Sequence, residues 1–146
     1  MRQSDDKTTN KDINNRILLV DDELDIATVF TLGLEDNGFK VDTFNDPVKA
    51  LSSFKGGSYD LALIDYKMPN LNGFELYQEI RKIDDKIKVC FITAFEVYHE
   101  GLKKKFQSSS NASSQYKREE VDIKCFIQKP IDIDELVKRI REELNS

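Results

Sequence analysis

Five times along this chain, a short apolar run of strand length recurs ahead of or between stretches whose apolar residues return at helical spacing. This alternation limits the fold more than any other feature. "RILLV" (Arg16 to Val20) is continuous and mostly apolar, as a strand covered on both faces must be. Ile26, Val29, Phe30, Gly33 and Leu34 follow at i, i+3, i+4, i+7 and i+8, the stripe of an amphipathic helix. "DNG" (Asp36 to Gly38) ends that helix with glycine past its end. "FKVDTF" (Phe39 to Phe44) reads as the second strand. Asp46 and Pro47 then supply an N-cap and a first helical residue. Pro47, Ala50, Leu51 and Phe54 face one way until "KGGS" breaks the helix. "LALI" (Leu61 to Ile64) is the third strand, and Leu76, Tyr77, Ile80 and Ile83 stripe the third helix. "IKVCFIT" (Ile87 to Thr93) and "IKCFIQ" (Ile123 to Gln128) are the fourth and fifth strands. Ile133, Leu136, Val137, Ile140 and Leu144 stripe a last helix, opened by "DIDE", whose acids suit the positive end of the helix dipole.

Repeated strand–helix units imply a parallel sheet with helices on both faces. Right-handed crossovers then leave few topologies. The expected fold is α/β, a doubly wound five-stranded parallel sheet of order 2-1-3-4-5. The chain has 146 residues, which suggests one domain over residues 16–146, preceded by a polar stretch, residues 1–15, that reads as a disordered tail. Cys90 and Cys125 lie in strand-like segments without CxxC spacing, and we read them as reduced and buried. The single histidine, His99, cannot build a multi-histidine metal site. The longest aliphatic runs are four residues, far short of the roughly 20 that cross a bilayer. The N-terminus has no apolar signal region, so the cytoplasm is the expected compartment. A formal net charge of −5 argues against a nucleic-acid or anionic membrane surface.

In a sheet of this order, the site lies beyond the carboxyl ends of the strands, where the strand order reverses. The first strand ends in Asp21 and Asp22, the third in Asp65, the fourth in Thr93, and the fifth in Gln128, Lys129 and Pro130. Three carboxylates, a hydroxyl and an ammonium would therefore share one rim. Close carboxylates repel, and a hard divalent cation relieves the repulsion. Mg²⁺, or Mn²⁺, fits an all-oxygen site that also binds phosphate. Asp65 is alone at the end of the central strand of the five, where a carboxylate can serve as nucleophile and form an aspartyl phosphate. Phosphoryl transfer asks mainly for positioning and charge neutralisation, which Mg²⁺, Lys129 and the Thr93 hydroxyl would supply.

"LLVDDE" (Leu18 to Glu23), "LIDYKMPNLNG" (Leu63 to Gly73), "ITA" (Ile92 to Ala94) and "FIQKP" (Phe126 to Pro130) together resemble the receiver domain of two-component response regulators. The resemblance runs from about Arg16 to the C-terminus. It implies a flavodoxin-like (βα)5 fold and a phosphoryl group accepted on Asp65 from a histidine kinase or a histidine phosphotransfer protein. Asp22, Asp65 and the Lys67 backbone carbonyl would ligate Mg²⁺ directly, and Asp21 mainly through water. Thr93 and Lys129 would contact the phosphoryl oxygens. Phe126 matches the aromatic switch position, which turns into the space left when the threonine hydroxyl moves inward. Ala94 is small, as phosphate access requires, and the Lys129–Pro130 peptide is usually cis in this family. Lys67 and Phe95 occupy positions that tune the lifetime of the phosphoryl group.

The chain departs from this pattern between Thr93 and Lys129, which lie 36 residues apart. One helix and two loops leave more than about ten residues unassigned. The excess centres on residues 103–121, whose middle is "SSSNASSQ". This insertion either modifies partner choice or is a tolerated surface loop. The usual glycine–alanine pair before the fifth strand is absent, replaced by "VDIKC". With no apparent room for an output domain after the last helix, the expected protein is a single-domain response regulator acting by protein contact, not an enzyme beyond slow loss of its own phosphoryl group. The alternative is a degenerate receiver acting as a constitutive binding module. A Mg²⁺-dependent phosphohydrolase would carry a second acid two residues after its nucleophile, where this chain has Lys67. A DNA-binding regulator is disfavoured by charge.

Overall fold

A computed structural model describes residues 15–93 and 125–146. Its elements are β1 (Arg16–Val20), α1 (Leu24–Asp36), β2 (Lys40–Phe44), α2 (Pro47–Ser53), β3 (Leu61–Asp65), α3 (Gly73–Ile83), β4 (Lys88–Thr93), β5 (Cys125–Gln128) and α4 (Ile133–Leu144). The five strands form one parallel sheet in the order β2-β1-β3-β4-β5, the expected doubly wound topology. The polar tail through residue 14, Ala94, Phe95, His99 and the insertion at 103–121 lie outside the described residues.

The strands divide the core by parity, because successive side chains point to opposite faces. Leu18, Val20, Ala62, Ile64 and Phe91 face Ala50 and Phe54 of the α2 region and Phe74, Tyr77 and Ile80 of α3. Ile17, Leu19, Leu61, Leu63 and Ile92 face Ala27, Phe30 and Leu34 of α1 and Leu136, Val137 and Ile140 of α4. β3 is buried along its whole length, which is why it reads as an unbroken apolar run. β2 is an edge strand and only half-covered, so its sequence alternates.

Local signals set the helix boundaries. Asp46 caps α2 by accepting from the Val48 N–H at 2.9 Å, with Pro47 at the first helical position. Asn72 and Glu75 form a reciprocal capping box on α3, each accepting from the other's backbone at 2.9 Å. Asp132 caps α4 through the Glu135 N–H at 2.8 Å. Gly38, with φ of 94°, takes the left-handed turn after α1. Two expected stripe residues are corrected: Val29 is 55% exposed and Ile83 51% exposed. Ala27, Phe30 and Leu34 already fill the buried face of α1, so Val29 is turned to its flank.

The cysteines are buried as expected but are not free thiols. Cys90 and Cys125 form a disulfide with their Cα atoms 4.6 Å apart. Parallel register pairs Cys90 with Cys125 across β4 and β5, although 35 residues separate them in sequence. A pairing made by strand order leaves no local CxxC spacing in the sequence. The bond closes a long loop, and chain entropy makes such a closure worth about 2–4 kcal/mol. Reduction, or the double substitution C90A/C125A, is expected to lower the urea unfolding free energy by about that amount. Unreduced protein is expected to resist thiol alkylation in denaturant. Full alkylation, with no shift of the urea midpoint on reduction, would show that the bond does not form in solution.

Candidate functional site

The sheet delivers its charged residues to one edge. Asp21 and Asp22 follow β1, Asp65 ends β3, Thr93 ends β4, and Lys129 follows β5. Ladder hydrogen bonds continue past the strand ends and pin this backbone. The Asp21 N–H donates to the Phe44 carbonyl at 3.1 Å, Tyr66 N–H to Ile92 at 2.9 Å, and Lys129 N–H to Thr93 at 2.7 Å. The Lys129–Pro130 peptide is cis.

Ligand oxygens of Asp21, Asp22 and Asp65 all lie within 4.8 Å of one another. Asp21 and Asp65 are buried, and Asp22 is partly exposed. The Lys129 ammonium enters this cluster from β5, 3.0 Å from Asp21 Oδ2 and 3.8 Å from Asp65 Oδ2. It also meets Glu23 Oε1 at 2.8 Å. The Thr93 hydroxyl is buried and has no hydrogen-bond partner among the described residues. Lys67, itself exposed, lies two residues past Asp65 on the β3–α3 loop. Phe126 is partly buried, its ring 5.9 Å from that of Phe91.

Burial pushes the Asp65 carboxyl up to about 8, helped by the negative charge of Asp21 and opposed by Lys129. Burial disfavours the Lys129 ammonium, but hydrogen bonds to Glu23 and Asp21 and the nearby carboxylate charges outweigh it and raise its pKa. The donor set is therefore hard, all-oxygen and short of positive charge. Asp21 Oδ2 is buried and faces the Lys129 ammonium at 3.0 Å, so one buried ammonium is shared between Asp21, Asp65 and Glu23, and Asp22 adds further negative charge. These residues fit Mg²⁺ or Mn²⁺.

Two residues at the site carried no role in the sequence reading. Gly73 stood in the quoted motif without a physical reason. A Cβ there would sit 2.7 Å from the Asp65 carbonyl oxygen and 2.7 Å from Tyr66 Cα, so only glycine lets α3 start against the end of β3. The Gly73 N–H donates to the Tyr66 carbonyl at 2.7 Å, closing the loop. Asn70, with φ of 73°, makes its sharpest turn, a conformation asparagine tolerates better than most residues. Glu23, the second, follows the two aspartates in "LLVDDE", and its side-chain reach across to Lys129 leaves no signal in sequence spacing.

Two measurements test this geometry. G73A is expected to cost about 1–3 kcal/mol in urea unfolding, because the added methyl meets backbone that cannot move without shifting Asp65. The pH dependence has a defined sign. Between about pH 4 and about pH 8, folded Asp65 holds a proton that the unfolded chain has released. Stability of the metal-free protein therefore falls as pH rises through this window. D65N removes that contribution and is expected to raise the metal-free melting temperature at pH 8 by roughly 5 °C, with little change at pH 4. An equal effect at both pH values would contradict the raised pKa.

Comparison with known proteins shows the family and the fold. The family model of the response regulator receiver domain matches residues 17–141. The response regulator ArlR of Staphylococcus saprophyticus is 33% identical over 129 residues, covering 88% of this chain and 52% of ArlR. The uncharacterized transcriptional regulatory protein YkoG of Bacillus subtilis is 31% identical over 128 residues, covering 88% of this chain and 50% of YkoG. The chain thus spans about half the length of these curated relatives. Among solved structures, the response regulator TrrA of Thermotoga maritima, determined with Mg²⁺ and beryllium fluoride, superposes with a TM-score of 0.67 at 28% identity. That match covers 88% of this chain and 97% of TrrA. A CheY-like receiver domain protein of Methanospirillum hungatei gives a TM-score of 0.70 at 26% identity, covering 90% of this chain and 94% of its own. With the sheet order, the acidic rim and the family match in agreement, this chain belongs to the response regulator receiver domain family of two-component systems.

Proposed function

We propose that Asp65 accepts a phosphoryl group from a phosphohistidine on a sensor histidine kinase or phosphotransfer protein, and that the acyl phosphate changes the protein contacts the domain makes. The observation that carries this reading is the arrangement at the end of β3. Asp65 sits buried beside two acids and the Lys129 ammonium, with the buried hydroxyl of Thr93 on the neighbouring strand. Receiver domains bind Mg²⁺ at an acidic pocket, and here Asp21, Asp22, Asp65 and the Lys67 backbone carbonyl would hold it. Bound Mg²⁺ would supply positive charge to the carboxylates and to the phosphoryl oxygens.

The ionised Asp65 carboxylate attacks phosphorus, and an O–P bond forms as the P–N bond of the donor breaks. The electron pair stays on the imidazole nitrogen, which takes a proton from water. Lys129 neutralises phosphoryl charge, and the Thr93 hydroxyl donates to a phosphoryl oxygen. The Thr93 hydroxyl turns inward to make this bond and leaves room for Phe126, which sits in a row of rings with Phe91 and Tyr66. Hydrolysis of the acyl phosphate by water is slow, so the domain is a switch and not a turnover enzyme.

The donor approaches over an apolar groove beside Lys129, lined by Ile26, Val29, Phe30 and Ile131. The exposed Val29 suits a helical partner here. A kinase fed by ATP implies the cytoplasm. Disulfides are rare in that compartment, and burial of both sulfurs shields the Cys90–Cys125 bond from reducing thiols. No described helix is long and apolar enough to cross a membrane.

Intact mass after incubation with Mg²⁺ and acetyl phosphate is expected to rise by one phosphoryl group, acid-stable and base-labile, and D65N is expected to stay unmodified. No adduct at any incubation time would instead favour a constitutive binding module.

A further inference from the structure

The Lys129 ammonium has three N–H donors and three carboxylates around it. Its shortest contact is neither the phosphoacceptor nor a member of the acid pair. Glu23 Oε1 lies 2.8 Å away, Asp21 Oδ2 3.0 Å and Asp65 Oδ2 3.8 Å. Glu23 occupies the N-cap position of α1, and its side chain makes no cap hydrogen bond. It reaches instead to a residue 106 positions away in sequence.

The mobility of the partners is unequal. The Glu23 backbone is pinned at both ends: its N–H donates to Asp21 Oδ1 at 2.9 Å, and its carbonyl accepts from Ala27 N–H at 3.0 Å. Its side chain is 56% exposed and can turn into water at little cost. Lys129 and Asp21 are buried and cannot. A phosphoryl oxygen arriving at Asp65 needs an N–H of the ammonium, and the carboxylate that leaves most easily is Glu23.

We propose that Glu23 is a positioning residue that holds the Lys129 ammonium toward the first helix while Asp65 is unmodified, and surrenders it to a phosphoryl oxygen when Asp65 is modified. The inference rests on the phosphoacceptor reading of Asp65. Glu23 thereby weakens the site's intrinsic hold on a phosphoryl group, because its ion pair with Lys129 must break before the ammonium is free to turn.

The test uses beryllium fluoride with saturating Mg²⁺ as the phosphoryl probe, followed by ¹⁹F NMR titration of the full chain. E23Q is expected to bind the probe roughly 2- to 5-fold more tightly than the parent protein, with Mg²⁺ affinity measured alone changing less than the probe affinity. E23D keeps the charge but is one methylene too short to reach the ammonium from its pinned backbone, so it is expected to behave like E23Q. A purely structural role would not separate these variants from their unfolding midpoints, which are measured alongside. Equal or weaker probe binding by E23Q overturns the inference, as does an E23D variant that matches the parent protein. If the parent protein binds no beryllium fluoride while it still binds Mg²⁺, the phosphoacceptor reading falls and this inference falls with it.

Discussion

The carboxyl edge of the sheet is governed by unbalanced charge. Three carboxylates sit within 4.8 Å of one another, and one buried ammonium meets two of them. Two like charges about 4 Å apart interact with about 4 kcal/mol at the effective dielectric of a protein surface, so this cluster cannot be fully ionised and unpartnered. The domain has three ways to relieve it. Asp65 can hold a proton, a divalent cation can bind, or Lys129 can be drawn further in. The first explains the raised Asp65 pKa, and the second is the use that the receiver family makes of its acidic pocket.

The rest of the molecule supplies what this cluster cannot. β1, β3 and β4 are almost entirely buried, and two apolar layers clamp them from opposite faces. Side-chain caps set the starts of α2, α3 and α4. The tight approach of Gly73 to the Asp65 carbonyl fixes the loop that carries Lys67. The disulfide joins the strands that bring Thr93 and Lys129 to the rim. A destabilising charge cluster survives because the backbone beneath each of its members is held by ladder hydrogen bonds and apolar packing.

Much of this was legible in the chain. The parallel sheet followed from runs such as "LALI", which have no polar face because β3 has no exposed face. The order 2-1-3-4-5 followed from handedness, since right-handed crossovers leave few ways to thread five strands. The convergence of Asp21, Asp22, Asp65, Thr93 and Lys129 followed from their common position at strand ends. What escaped the reading depended on contacts between distant elements. Val29 fits a helical stripe, but the width of the face that α4 and the sheet cover decides whether it is buried. Gly73 looked like a motif letter until the distance to Tyr66 Cα gave it a reason.

The amino-acid sequence by itself determined the element types, their order and the residues at each strand end, because these depend on local periodicity, caps and chirality. Only the tertiary structure decided which side chains meet across strands. Cys90 and Cys125 are joined because parallel register sets residues 35 apart directly opposite one another. Glu23 rather than Asp65 is the nearest partner of Lys129 because the end of β5 approaches the start of α1. Neither distance is encoded in spacing along the chain; both arise from packing helices on a twisted sheet, where angstrom-scale placement depends on the whole core.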